Sequence, residues 1–287
     1  MKRRRFLQAL PLTLTAAPVP ALQRELGITT GSFMRHLSET AQPGKLHLLD
    51  LPRIMRDELG MHVIDLMTAT LVSLEPKYLE QLRQAATDAG CVLTNLKMNQ
   101  KGLDMANADE AVRRQALDTY RKTIDAAALL GVRWVRPLPG PKPPDLKLLA
   151  QSYRDLIDYA GEKGTGVLIE NFGWMQGDAN AIPQVIQAVG SGLKAQPDTG
   201  NWTDAARYDG LAKAFPFAVS CDFKARDLAA DGTHAAYDLK RCFDIGWQAG
   251  FRGPWCFEHF HNDMAQLFRE MGMLRDMLRL WMKQGAP

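Results

Sequence analysis

Acidic residues stand at the ends of four consecutive strand-like segments in the second half of the chain. Glu170 ends the first of these segments, Asp198 ends the second, Asp222 lies near the end of the third, and Glu258 ends the fourth. Apolar residues occupy the alternate positions of each segment, so the acid and the apolar side chains point to opposite faces. We predict that all four carboxylates point to the same side of one sheet.

Four carboxylates in a small buried volume repel one another, and burial deprives them of solvation. They need a counter-charge, and a divalent cation is the simplest one. A single acid at a strand end would be explained by a helix cap or a salt bridge. Four consecutive segments with the same parity favour a functional site instead.

The segments that must position these acids alternate between strand-like and helix-like patterns from about residue 26 onward. Strands are predicted at 26–30, 63–66, 91–96, 134–137, 166–171, 193–198, 218–224 and 254–258, and helices at 51–59, 76–89, 109–130, 145–162, 180–189, 203–214, 235–249 and 262–283. Eight strand–helix units in one chain predict an α/β fold, a single (β/α)8 TIM barrel. An open doubly wound sheet is the alternative, but no Gly-x-Gly-x-x-Gly turn follows the first strand. In a barrel the four acids lie at the C-terminal strand ends, where active sites form.

Residues 1–21 have the pattern of an export signal. The run from Arg3 to Gln8 resembles the twin-arginine motif, a mildly apolar stretch follows at 9–19, and small residues offer a cleavage site at 19–21. The stretch is too short to span a bilayer as a stable helix. A basic, disordered tail is the alternative. We expect a barrel domain at 22–287, in the periplasm or otherwise exported through the twin-arginine pathway.

Composition narrows the function classes. The chain has 287 residues, of which 46% are hydrophobic, enough for one large core. The formal charge of +3 comes from four basic residues at positions 2–5, without which 31 basic residues face 32 acidic ones. No basic stripe remains, so we expect no nucleic-acid partner. The four cysteines have no paired short spacing and are expected to be buried free thiols.

Several runs around the acids resemble a known family. Ile169–Gly173 is similar to the Glu-Asn-His-Gly run that follows the fifth strand of the xylose isomerase-like barrels, the sugar phosphate isomerase/epimerase group. Pro197–Asn201 resembles their Asp-x-Gly-His/Asn run, and Asp222-Phe223-Lys224 stands in place of a His-x-Lys. Gly250–Gly253, followed by a strand ending in Glu258, resembles the Gly-Tyr-x-Gly…Glu ending. The resemblance covers residues 26–283.

The resemblance implies a metal-dependent sugar isomerase or epimerase that abstracts a proton beside a carbonyl and stabilises an enediolate on the metal. It implies Glu170, Asp198 and Glu258 as metal ligands, with Asp222 in place of the usual histidine. If Asp222 binds, all ligand atoms are oxygens, which favours Mn²⁺ or Mg²⁺ and leaves Zn²⁺ or Co²⁺ as alternatives. Glu170 and Glu258 are the expected proton-transfer pair, and Lys224 is expected to neutralise oxyanion charge.

The mouth of the barrel should carry the substrate contacts. The candidates are Asn171, Trp174, Asn201, Trp202, Arg226 and His261. The tryptophans could stack on a sugar or pack on their own barrel, and Lys224 and Arg226 could instead form surface ion pairs. Asn201 departs from the family's frequent histidine. Lys97 follows the third strand and is placed near the mouth without an assigned role.

Two competing functions remain open. One is a periplasmic lyase or hydrolase that acts on oxidised glycosides with the same metal site, and the other is a sugar- or metal-binding barrel without turnover. A multi-metal nuclease on the same scaffold is disfavoured, because the chain has only 6 histidines and no basic surface. We expect a small carbohydrate as the substrate and no stable membrane span. A homo-oligomer is left open.

Overall fold

Eight parallel strands form the inner layer of the protein. The computed structural model describes residues 22–40, 42–140, 142–226 and 228–285. The strands are β1 (Leu26–Thr29), β2 (Val63–Met67), β3 (Val92–Met98), β4 (Trp134–Pro137), β5 (Gly166–Ile169), β6 (Leu193–Ala195), β7 (Cys221–Lys224) and β8 (Trp255–Glu258). Ladders join them in the order β6-β5-β4-β3-β2-β1-β8-β7.

The gap between β6 and β7 is closed by isolated parallel bridges rather than by a full ladder. Ala195 is bridged to Ala218, and Asp198 is bridged to Asp222. The amide of Asp222 donates to the carbonyl oxygen of Pro197 at 3.0 Å, and the amide of Thr199 donates to that of Asp222 at 2.9 Å. The predicted (β/α)8 barrel is therefore confirmed. Strand β6 is shorter than predicted, so Asp198 lies just beyond it.

Eight helices form the outer layer. They are α1 (Leu51–Leu59), α2 (Pro76–Asp88), α3 (Glu110–Leu130), α4 (Leu146–Glu162), α5 (Ala181–Val189), α6 (Arg207–Ala214), α7 (Leu239–Gln248) and α8 (Met264–Gln284). Within the described residues, no helix is both long and apolar enough to cross a membrane.

Local signals explain where these helices begin and end. Asp109, Asp145, Asp238 and Asp263 each accept a hydrogen bond from a backbone amide in the first turn of the helix that follows. The cap at Asp238 explains why α7 starts later than the predicted 235. Gly131 ends α3 with a φ of 71°, a conformation that suits glycine.

The core lies between the strands and the helices, and aromatic residues hold the last two strands. Trp255 packs against Phe223 and Phe243 with ring centroids 5.8 and 5.1 Å away. Because Trp255 and Phe223 point outward into this cluster, the alternate residues Asp222 and Glu258 are directed into the barrel. The four cysteines are free and buried, as expected.

The inside of the barrel is polar. Its fully or almost fully buried polar residues include Asp65, Asn95, Lys97, Arg136, Glu170, Gln196, Asp198, Asp222, Lys224 and Glu258. Barrels of this kind are more often filled with branched apolar side chains. Burying charged groups costs stability, so packing alone does not favour these residues inside the barrel.

Candidate active site

The four predicted carboxylates meet inside the barrel near the C-terminal strand ends. Asp198 and Asp222 are inaccessible to solvent, while Glu170 and Glu258 are 3% and 8% exposed. One carboxylate oxygen from each of Glu170, Asp198 and Asp222 lies within 4.8 Å of the others, a spacing that could hold a metal ion. Glu258 is not part of this group of three. The parity of the strands thus brings the acids together, as predicted.

Buried cations accompany these acids. The ammonium of Lys97 lies 2.6 Å from Asp222 Oδ1 and 3.8 Å from Glu258 Oε2. The ammonium of Lys224 lies 2.7 Å from Asp198 Oδ2 and 2.9 Å from Glu258 Oε1. The expectation that a metal ion is the simplest counter-charge is therefore incomplete, because the chain itself supplies part of that charge.

Arg136 is the third buried cation. Its Nε lies 2.8 Å from Glu170 Oε2, and both side chains are 3% exposed. Neither atom has a hydrogen-bond partner by geometry, so this contact is a close ion pair without good alignment. Sequence reasoning missed Arg136 and left Lys97 without a role. Both could have been found, because they share inward parity on β4 and β3, as Asp222 and Glu258 do on their own strands.

A common pattern marks the group of three carboxylates. Each has one oxygen that accepts hydrogen bonds: Asp198 Oδ1 from the amides of Gly200 and Asn201, Glu170 Oε1 from Asn201, and Asp222 Oδ1 from Lys97 and Gln196. The second oxygens of Asp198 and Glu170 lie 2.7 Å from Lys224 Nζ and 2.8 Å from Arg136 Nε, whereas Asp222 Oδ2 is buried and has no hydrogen-bond donor in the described structure. A buried oxygen such as Asp222 Oδ2 is costly to leave without a donor unless a ligand or ion takes it. Carboxylate oxygens of these three residues lie close enough together to serve as ligand atoms for a hard divalent cation.

The electrostatics of the acids differ. Burial raises the pKa of Asp198 to about 6, with Lys224 acting in the opposite direction. Burial also raises the pKa of Asp222 well above its ordinary value, against the effect of Lys97. Burial acts to raise the pKa of Glu258 too, but Lys224 and Lys97 outweigh it and hold this pKa at about 2. Glu258 is therefore a carboxylate at neutral pH.

The two lysines remain protonated. Burial acts to lower their pKa values, but the surrounding carboxylates outweigh it and raise both. Lys97 and Lys224 can therefore donate hydrogen bonds or stabilise negative charge at neutral pH, but they cannot serve as bases.

Asn201 links Glu170 to Lys224. Its side-chain amide donates to Glu170 Oε1 at 2.8 Å, and its carbonyl oxygen accepts from Lys224 Nζ at 2.7 Å. Asn171 lies deeper and clasps the backbone of Asp198, donating to its carbonyl oxygen at 3.0 Å and accepting from its amide at 2.8 Å. Asn171 is thus placed to position Asp198, whereas the sequence predicted a substrate contact.

The other predicted substrate contacts lie in different environments. Trp202 is 2% exposed and packs beside Gly210 in the core, so its ring has no open face for a sugar. Trp174 is half-buried after β5. Arg226 lies at the rim, with its side chain 56% exposed, 3.9 Å from Glu258 and stacked on Phe260. His261 accepts from the amide of Asp263 and thereby supports the start of α8.

Comparisons with known proteins agree with this architecture. The family model described as "Xylose isomerase-like TIM barrel" matches residues 57–283. A D-psicose 3-epimerase from Clostridium cellulolyticum H10 is 15% identical with a TM-score of 0.70, covering 89% of this chain and 98% of that one. A 3-keto-D-glucoside 4-epimerase from E. coli is 15% identical with a TM-score of 0.67, covering 89% and 100%.

A third solved structure was obtained with a metal ion. It is a xylose isomerase-like TIM barrel protein from Mycobacterium smegmatis in complex with magnesium, 19% identical with a TM-score of 0.63, covering 91% of this chain and 98% of that one. At these identities the similarity shows a shared fold. No curated protein sequence matches the chain.

Proposed function

The chain belongs to the xylose isomerase-like TIM barrel family, and from that premise we propose that it is a sugar isomerase or epimerase that transfers a proton beside a carbonyl group. The observation that carries the proposal is the buried group of Glu170, Asp198 and Asp222, which offer carboxylate oxygens within 4.8 Å of one another, together with Asp222 Oδ2, which has no hydrogen-bond donor. Glu258 and Lys224 border this group and add a carboxylate and an ammonium at the same place.

We propose that Glu170, Asp198 and Asp222 hold a divalent metal ion, with Glu258 as the fourth acid of the site. Carboxylate oxygens alone favour Mn²⁺ or Mg²⁺ over Zn²⁺ or Co²⁺. A bound ion of this type would supply Lewis-acid polarisation of a substrate carbonyl.

The residues of the chain have distinct roles in this proposal. Glu258 is the carboxylate that would accept a proton from the carbon beside the carbonyl, and Glu170 is the second acid for returning it. The ammonium of Lys224 stabilises negative charge on the substrate oxygen. Asn201, bonded to both Glu170 and Lys224, keeps these two groups in a fixed relation.

The proton transfer requires a substrate that carries a carbonyl group. Two neighbours of similar fold are named for such sugars, D-psicose and a 3-keto-D-glucoside. We propose a free ketose or keto-glycoside as the substrate, with Trp174 and Arg226 as contacts at the mouth. Export through the twin-arginine pathway stays a prediction, since residues 1–21 lie outside the described residues.

Solvent deuterium exchange tests the proposal. The purified protein, loaded with Mn²⁺, is incubated in D₂O with D-psicose, D-fructose or methyl 3-keto-D-glucoside, and the sugar is examined by NMR. We expect deuterium at the carbon beside the carbonyl, an arrest after treatment with chelator, and recovery with Mn²⁺. Glu258→Gln should lower the exchange rate at least about a hundredfold, while Glu80→Gln, an exposed position on α2, should not change it.

The reaction products distinguish an isomerase or epimerase from a lyase or hydrolase at the same site. Isomerised or epimerised sugar supports the proposal, whereas release of an aglycone from the keto-glycoside would indicate a lyase or hydrolase at the same site. Mn²⁺ binding without exchange across the whole panel would refute catalysis and favour a binding protein.

A further inference from the structure

Lys97 is a fully buried cation of the site that contacts the carboxylates of Asp222 and Glu258. Its side chain is inaccessible to solvent. It bonds Asp222 Oδ1 at 2.6 Å, an oxygen that also accepts from Gln196 at 3.3 Å, and leaves Asp222 Oδ2 without a donor. Lys97 is therefore placed to orient Asp222, and its burial keeps it away from a substrate.

The charges inside the barrel do not balance. Five carboxylates are buried there among the described residues: Asp65, Glu170, Asp198, Asp222 and Glu258. Three buried cations face them: Lys97, Arg136 and Lys224. The formal excess is two negative charges, which one divalent ion would neutralise. Arg226 is more than half exposed at the rim, so solvent screens its contribution.

Asp65 belongs to the same charge network although it is not one of the proposed ligands. Its carboxylate accepts from Thr94 and, at 2.7 Å, from Gln196, and neither donor carries a charge. Gln196 connects Asp65 to Asp222 through its amide group. The carboxylates of Asp222, Glu258, Asp65 and Glu170 all act to raise the pKa of Lys97.

We propose that Lys97 is a positioning residue that matches the metal site to a single divalent ion, by turning one oxygen of Asp222 toward the ion and by limiting the excess negative charge of the barrel to two. The inference rests on the proposed metal-dependent function. It predicts that the charge selectivity of the site, and not only its activity, depends on Lys97.

The test compares ions of different charge in the purified full-length protein without substrate. Mn²⁺ binding is measured by electron paramagnetic resonance, and Tb³⁺ binding by luminescence sensitised through the protein's tryptophans. The ratio of the dissociation constants for Mn²⁺ and Tb³⁺ reports the charge selectivity of the site. A merely structural change would not shift this ratio consistently toward one of the two ions. A unit charge about 6 Å from the ion, at an effective dielectric constant of about 20, changes affinity about a hundredfold per ionic charge.

Lys97→Met raises the formal excess to three charges, and we expect it to shift the ratio toward Tb³⁺ by at least about tenfold. Lys97→Arg keeps the charge and should stay within about threefold of the unmodified protein. Lys97→Met combined with Asp65→Asn restores an excess of two without altering a proposed ligand, and should return the ratio toward the original value.

The outcomes separate the two proposals. If Lys97→Met binds Mn²⁺ but leaves the ratio unchanged, the role of Lys97 is refuted while the metal site stands. If the unmodified protein binds neither ion, the metal-dependent function fails, and the role of Lys97 fails with it. Should Lys97→Met not fold, Asp65→Asn alone decides: it lowers the excess to one, and an unchanged ratio again refutes the charge matching.

Discussion

The ion pair of Arg136 and Glu170 permits a quantitative prediction. Both side chains are 3% exposed, and Arg136 Nε lies 2.8 Å from Glu170 Oε2. Arg136→Met keeps a side chain of comparable length but leaves the buried carboxylate facing an apolar group. Removing one partner of a buried pair costs about 3 to 5 kcal/mol in the free energy of unfolding. We expect about 3 kcal/mol here, since the pair is poorly aligned and Glu170 keeps its hydrogen bond from Asn201.

The assay is urea unfolding followed by circular dichroism, with chelator present so that bound metal does not add to stability. Arg121→Met is the matched control, because Arg121 pairs with Asp118 on the surface and should cost less than about 1 kcal/mol. The double variant Arg136→Met with Glu170→Gln removes both charges and should be less destabilised than the sum of the single variants. If Arg136→Met costs no more than Arg121→Met, or if the two single effects simply add, the ion pair does not couple these residues.

Three further predictions follow from other parts of the molecule. Trp202→Ala should destabilise the protein by about 3 to 5 kcal/mol in urea unfolding, because the ring is buried. Trp174→Ala should instead lower kcat/KM for the sugar, with a stability loss below about 1.5 kcal/mol. If Trp174→Ala is the destabilising variant and Trp202→Ala the one that lowers kcat/KM, the two assignments are wrong. Burial acts to raise the pKa of Glu270, but hydrogen bonds from His259 and Gln266 outweigh burial and lower this pKa. The ionised Glu270 therefore stabilises the folded protein above pH about 4.3, and this stabilisation is lost as the pH falls through the lower pKa of the folded state. Glu270→Gln should therefore reduce the difference in melting temperature between pH 6 and pH 3, and an unchanged difference would contradict this. Replacing Arg3 and Arg4 with lysine should retain the precursor inside the cell, as cell fractionation would show; undiminished export would exclude the twin-arginine signal.

Strand alternation predicted the inward direction of the acids, because the side-chain period of two is a local property of the backbone. Asp222 and Glu258 lie within β7 and β8 and needed only this rule, while Glu170 lies one residue past the end of β5. Asp198 lies beyond the end of β6, where its direction depends on the bridge to Asp222 and on the clasp by Asn171. The bridge and the clasp involve residues more than 20 positions away in the sequence, which local alternation does not describe. The inward direction of Asp198 was predicted correctly only because β6 was predicted too long.

The remaining differences arise from packing between distant segments. The burial of Trp202 depends on Gly210, because a Cβ there would lie 2.7 Å from the indole ring. The loop after β6 has no periodic pattern from which such a contact could be read. Lys97 on β3 and Arg136 on β4 follow the same alternation rule as the acids, so their inward direction is a local property that the sequence contains.

The counter-charges change the meaning of Asp222. Considered alone, an aspartate in place of a neutral histidine adds a negative charge to a site that already contains three. Considered with Lys97, which lies 2.6 Å from it, the substitution adds no net charge. The pair of Asp222 and Lys97 therefore has the same formal charge as one neutral imidazole, while it offers an oxygen instead of a nitrogen to an ion. We therefore expect Asp222→His to be tolerated better in combination with Lys97→Met than alone, because the single variant leaves a buried ammonium without its closest partner.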